Sequence, residues 1–382
     1  MFRAAFRPGK QPACRLSAAS TLPGFERVRQ LAAKRGGPAH LLIEHRGEIV
    51  VDHRIGVGPR AAFWPFSVSK IFIAALVWSL IADGTLDPHT PIVEHWPEFA
   101  SASPAAEAKS AITVMDVLTH RSGLPRPGGP AREILALGDY ARNIRQIEAA
   151  SPIRPPNGRP AYEWLAWGYI LGELACRATG TSGIRDAGRP LAELLRQRVL
   201  DPIGAHDTFL GLPATERWRA VPMTARGPAT LPVATVLNSA RVRRAVIPAG
   251  GVSTTAHDAL RLLRELCAGG ERLGLRPEHV AQLIAPSNDG EYDPFAGSRT
   301  WWGHGVQLGH PAAHAVNASA FGRLTSERAW GHNGSNVATA WHDPDRDLSF
   351  VYFSGIIEMF PVNRMRFLQL QDAAVRAADS TN

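Results

Sequence analysis

The sequence predicts an α/β region joined to an all-helical region. Strand-like segments occur only near the two ends of the chain, helix-like apolar runs fill its middle, and 382 residues suffice for a large core with two packed subdomains. Residues 1–22 are expected to be an extension. Residues 23–382 are expected to form the body, with about 23–65 and 295–382 supplying the α/β part and about 66–294 most of the helical part.

The extension is basic and free of acids over Met1–Ser20, but it lacks a continuous apolar core, so no Sec-type signal is expected. Organelle-targeting leaders share that composition. Pro23–Lys34 reads as a helix stopped by Gly36-Gly37-Pro38, and Ala39–Glu44 and Glu48–Arg54 read as a hairpin around His45-Arg46-Gly47. Residues 69–82 contain neither Gly nor Pro and read as a buried helix ending at Asp83-Gly84. Thr113 and Asp116 form a capping-box pattern ahead of a short helix that stops at Gly123; His120 and Ser122 are expected to shape that turn. Further helices are expected over Ala131–Ala150, from the Tyr162 region to Thr179-Gly180, over Ile184–Leu200 and over His257–Cys267, with Leu212–Ala249 as a long loop. At the far end, His332–Trp341 and Leu348–Ser354 read as partner strands across the Asp343–Asp347 turn, followed by a helix over Pro361–Ala378.

Composition narrows the function. Hydrophobic content of 45% with 20% charged residues is that of a soluble globular protein, and the longest apolar run, Ile71–Ala82, is too short to span a bilayer. A cytoplasmic protein with no membrane partner is expected. The formal charge of +8 comes from scattered Arg without a basic block, which argues against nucleic acid. Cys14, Cys176 and Cys267 are too far apart for a zinc cluster and suggest no disulfide framework. Asp343, Asp345 and Asp347 alternate like partial calcium ligands without a complete calcium loop, and read as a solvated turn. No metal or organic cofactor is expected.

One short stretch carries chemistry. Ser67 and Lys70 lie three apart at the start of the 69–82 helix, placing a hydroxyl beside an amine and near the unpaired backbone N–H groups of a helix N-terminus. Taken alone, the pair reads as an ordinary N-cap serine and a surface lysine, since Ser-x-x-Lys recurs by chance in many proteins. Lys70 is nevertheless one of only four lysines among 42 basic residues, and a desolvated lysine can lose its proton where arginine cannot. Tyr162, between a proline-rich segment and an apolar helix, could share that proton or simply pack on the core.

Together these residues resemble the serine β-lactamase and penicillin-binding protein superfamily, most closely its class C-like (family VIII carboxylesterase-type) esterases. Ser67 and Lys70 match the Ser-x-x-Lys motif, Tyr162 the second-motif tyrosine, and His332-Asn333-Gly334 the third motif, which is His-x-Gly in many esterases. The resemblance covers roughly residues 24–378. It implies a β-lactamase/transpeptidase-like fold with an antiparallel sheet flanked by helices. It also implies attack by Ser67 on an acyl carbonyl, a Lys70/Tyr162 proton relay, and an oxyanion site from the backbone N–H groups of Ser67 and Ser335, the residue after Gly334.

Two departures bear on substrate. Tyr162-Glu163-Trp164 lacks the asparagine of the Tyr-x-Asn motif, and His332 stands where β-lactamases carry lysine, leaving a weaker attraction for a carboxylate. A carboxylesterase acting on a small ester or amide is therefore expected. Acyl transfer, D-peptide or β-lactam hydrolysis, and an inactive binding module are the alternatives. Trp164 and Trp302, with Trp301 and Trp330, are candidate pocket residues. The oligomeric state is not legible.

Overall fold

The computed structural model describes residues 24–126, 133, 136–359 and 361–381. Its principal elements, in chain order, are α1 (Glu26–Arg35), β1 (Ala39–His45), β2 (Glu48–Ile55), α2 (Ser69–Ala82), α3 (Val114–Leu118), α4 (Tyr140–Ala149), α5 (Ala166–Ala178), α6 (Ala256–Cys267), β3 (Gln307–Leu308), β4 (Trp330–Gly334), β5 (Ala338–Asp343), β6 (Leu348–Ser354) and α7 (Val362–Ser380).

The six strands form one antiparallel sheet in the order β2-β1-β6-β5-β4-β3. Strand β1 pairs with β6 from Ala39 opposite Ser354 to His45 opposite Leu348, so the two ends of the chain meet in the middle of the sheet. Alternation along these strands sorts side chains to two faces. Leu41, Ile43, Phe350 and Tyr352 pack with Val28 of α1 and Phe367 and Val375 of α7. Leu42, Val351 and Phe353 face the other way, into a large core that includes α2 and α5. Helices flank both faces, as the resemblance implies.

Helix α2 is buried from Ser69 to Leu80. A helix that is apolar all round belongs inside a core, and this one anchors the helical part. Thr113 caps α3 as expected: its hydroxyl accepts from the Asp116 amide, and Asp116 returns a carboxylate to the Thr113 amide.

Several segments differ from the sequence reading. His332–Trp341 is not one strand but the hairpin β4/β5, turned by Ser335 and Asn336 at φ 55° and 51°. The expected loop Leu212–Ala249 contains helices at Leu231–Asn238 and Ala240–Arg244. The helix expected from Ile184 begins only at Arg189, because Gly188 at φ 80° and Pro190 set its start, and it continues as a π-helical turn over Arg196–Leu200. The expected helix Ala131–Ala150 lies partly outside the described residues; its described portion, α4, is capped by Asp139. Among the described residues, no helix is long and apolar enough to cross a membrane.

Candidate active site

Ser67 lies in a single 3-10 turn, Phe66–Val68, that runs directly into α2. The preceding Phe66 adopts φ 50°, unusual for a bulky side chain and a sign that surrounding structure holds the turn. Part of that hold comes from β4. A side chain at Gly334 would overlap the backbone of Pro65, so only glycine lets this strand approach the turn so closely. Beyond Gly334, the β4/β5 turn is pinned by Asn333, whose side-chain oxygen accepts from the Asn336 amide at 2.9 Å. Among the described residues, no hydrogen bond occupies the backbone N–H of Ser335.

The hydroxyl of Tyr162 donates to Ser67 Oγ at 2.7 Å. Tyr162 is firmly held: its backbone N–H donates to Asp293 Oδ2 at 2.7 Å, and its ring stacks on Trp302 at 5.3 Å between centroids and 12° between planes. His120 packs edge-on against both rings, at 5.0 Å from Tyr162 and 4.3 Å from Trp302. Burial raises the Tyr162 pKa far above that of a free phenol, opposed in part by its bond to Ser67.

Lys70 is fully buried on the first turn of α2. Its Nζ donates to the carbonyl oxygens of Trp164, at 2.7 Å, and Ala249, at 3.4 Å, and lies 4.9 Å from the Tyr162 ring centroid. No hydrogen bond among the described residues joins Nζ to Ser67 or Tyr162. The three residues therefore converge, but a hydrogen bond joins only the serine and the tyrosine. Burial pushes the Lys70 pKa down to about 7, partly offset by the charges of Glu163 and Glu133.

His332 is buried and neutral, its pKa pushed down to about 3 by desolvation and by Lys70. Its Nδ1–H donates to the Asn333 carbonyl at 2.9 Å, and Nε2 has no partner among the described residues. Trp302 is buried behind Tyr162, whereas Trp164 is partly exposed beneath the guanidinium of Arg126 at 4.6 Å. Trp301 stacks on His310, and Trp330 is buried in the core.

Sequence reasoning missed the group behind the tyrosine. Glu163 is fully buried, and its Oε1 accepts from the Ser122 amide at 3.0 Å and the Ser122 hydroxyl at 2.7 Å. Its backbone N–H donates to His120 Nδ1 at 3.2 Å, which fixes the proton of that ring on Nε2. Burial raises the Glu163 pKa to about 8, against its bonds to Ser122 and the charge of Lys70. The available signal was a lone acid flanked by Tyr162 and Trp164 in an otherwise apolar run.

Three potential metal-ligating side chains, His40, Asp52 and His257, bring their ligand atoms within 4.8 Å of one another. They belong to β1, β2 and α6, away from the Ser67 turn. Asp52 already accepts from His40 Nε2 at 2.9 Å and pairs with Arg54 at 3.0 Å and His257 at 3.1 Å, so the cluster reads as a brace between sheet and helix.

This sheet-and-helix architecture, with Ser67 and Lys70 at the head of a buried helix and the β4/β5 hairpin against the serine turn, is that of the β-lactamase and penicillin-binding protein superfamily in its class C-like esterase form. Residues 26–359 match the beta-lactamase family profile, and the chain belongs to that family. Over 192 residues it is 28% identical to the esterase/beta-lactamase LipL of Mycobacterium tuberculosis, an alignment covering 48% of this chain and 41% of LipL. The chain thus spans less than half of that relative. Two solved structures share the fold over nearly their whole length. A family VIII carboxylesterase superposes with a TM-score of 0.75 at 23% identity, covering 94% of this chain and 99% of the other. EstA from Arthrobacter nitroguajacolicus Rue61a gives 0.76 at 25% identity, covering 96% and 100%.

Proposed function

We propose that this protein is a serine hydrolase that cleaves a small, uncharged carboxylic ester through an acyl-enzyme on Ser67. The carrying observation is the 2.7 Å hydrogen bond between Tyr162 Oη and Ser67 Oγ. In this reading Lys70 is the base. A neutral amine has two N–H bonds and one lone pair; with both N–H bonds engaged by the Trp164 and Ala249 carbonyls, the lone pair is free to take a proton. Tyr162 passes its proton to Lys70 and receives that of Ser67 as Oγ bonds to the ester carbon. The backbone N–H groups of Ser67 and Ser335 stabilise the resulting oxyanion. Collapse breaks the bond to the alkoxy group, which leaves with the proton returned through Tyr162, and water then repeats the sequence to release the acid. The relay requires Nζ to approach Oη more closely than in the resting arrangement, and the two groups titrate as a pair.

Neutral His332 favours an ester over a β-lactam or D-peptide, because it offers no cation to a substrate carboxylate. A fluorophosphonate should add one phosphonyl group to the native protein and none to Ser67→Ala, as read by intact-protein mass spectrometry. Equal labelling of the variant would remove Ser67 as nucleophile. In parallel, a short-chain ester should be turned over with higher kcat/KM than a cephalosporin or a peptide ending in D-Ala-D-Ala. The reverse order would overturn the ester assignment, and product trapped on an added alcohol would make the protein an acyltransferase.

A further inference from the structure

On the side of the sheet covered by the terminal helices, a groove of about 780 Å³ opens between α1 and α7. Its size is that of a small-molecule site. Its lining carries six cationic side chains, Arg27, Lys34, Arg35, Arg323, Arg366 and Arg376, and one carboxylate, Asp372. Two of the cations are neutralised locally, Arg323 by Asp372 and Arg366 by Glu358, both at 2.6–2.7 Å. Arg27, Lys34 and Arg376 are exposed and have no ion-pair partner among the described residues. Arg35 is different in kind. Only 5% exposed, it lies over the Phe367 ring at 4.3 Å, donates through Nη2 to the Asn336 carbonyl at 3.1 Å, and leaves Nε and Nη1 unpartnered.

Among the described residues, Arg35 has no hydrogen-bonded counter-charge: the nearby Glu358 carboxylate acts on it through space and is already paired with Arg226 and Arg366, so a buried guanidinium with two unpartnered nitrogens lines a groove that three further unpaired cations share. A ligand bearing several negative charges would relieve both the unpartnered burial and the mutual repulsion. The segment before α1 is not such a partner, since it contributes Arg3, Arg7, Lys10 and Arg15 and no acid. We propose that the α1/α7 groove binds a small polyanion, a phosphate ester or a polycarboxylate, held by Arg27, Lys34 and Arg376 above the fixed charge of Arg35. The exposed cations supply charge-assisted contacts, and the guanidiniums suit the bidentate recognition of either anion.

The test uses the full-length chain titrated calorimetrically with tripolyphosphate and separately with citrate, at an ionic strength held constant with sodium chloride. Saturable one-to-one binding of either probe, with a rise in Tm that chloride does not reproduce, is expected; which probe binds more tightly distinguishes phosphate from carboxylate recognition. Lys34→Gln and Arg376→Gln, both at exposed positions, should each weaken binding by about tenfold while leaving the circular dichroism unchanged. Absence of saturable binding by both probes, or unchanged affinity when Lys34→Gln and Arg376→Gln are combined, would overturn the proposal.

Discussion

Lys70 and Glu163 set the charge of the site between them. The ammonium is disfavoured by burial and the carboxylate likewise, so each depends on the other for its ionised form. If Lys70 acts as the base, it must be neutral, and kcat/KM for an ester should rise with pH through about 7 as the ammonium loses its proton. Glu163→Gln removes a carboxyl whose ionised form favours the ammonium, and because burial raises the pKa of that carboxyl to about 8, only its ionised fraction acts at the pH of the limb. The Lys70 pKa should fall, and the acid limb of the pH–rate profile should move to lower pH. A limb that stays in place, in a variant with native circular dichroism, would show that Glu163 has only a packing role. The amide can still accept from Ser122, which makes it the conservative change. Ser67, Lys70, Tyr162 and His332 were legible as residues because their motifs are local in sequence. The bonding of Glu163 was not, since Ser122 meets it from 41 positions away.

The element that matters most to the proposed chemistry is the β4/β5 hairpin. Gly334 packs on the Pro65 backbone without a side chain, which lets β4 lie against the turn that carries Ser67. In Gly334→Ala the strand must retreat from the turn, and the proposed oxyanion site opens. The acylation rate should drop by roughly 10²- to 10³-fold, the scale of losing one oxyanion donor. Single-turnover acylation measures this, and a near-native rate would place the oxyanion donors elsewhere. The sequence suggests one strand through His332–Trp341 because apolar and β-favouring residues resume at Val337, beyond Ser335-Asn336. Neither turn residue is glycine, so the usual hairpin signal was weak. Their left-handed backbone is secured by the Asn333–Asn336 side-chain bonds, which form only once the turn exists.

At the scale of the whole molecule, two clusters of apolar side chains lie on opposite faces of one sheet. The face beneath α1 and α7 holds Phe367, buried with its ring edge-on to Tyr352 at 5.6 Å. Phe367→Ala should cost about 3–5 kcal/mol, the range for removing a buried aromatic, and chemical denaturation would measure it. Its distance along the fold from Ser67 predicts little change in kcat/KM under conditions where the variant remains folded. A loss below about 1 kcal/mol would mean that α7 contributes little to the stability of the sheet.

The sequence by itself determined the mixed α/β and helical architecture, most helix positions, and the identities of the serine, lysine, tyrosine and His-x-Gly motifs. The elements follow from periodicity and caps confined to short windows, and the motifs from their resemblance to the superfamily. Only the tertiary structure decided that β1 and β6 lie side by side, that Tyr162 rather than Lys70 bonds Ser67, and that Trp302 backs the tyrosine. It alone also revealed the Glu163 network and the cationic groove between the first and last helices. These depend on contacts between residues distant in the chain, and desolvation and hydrogen-bond geometry take their values only when such contacts are made.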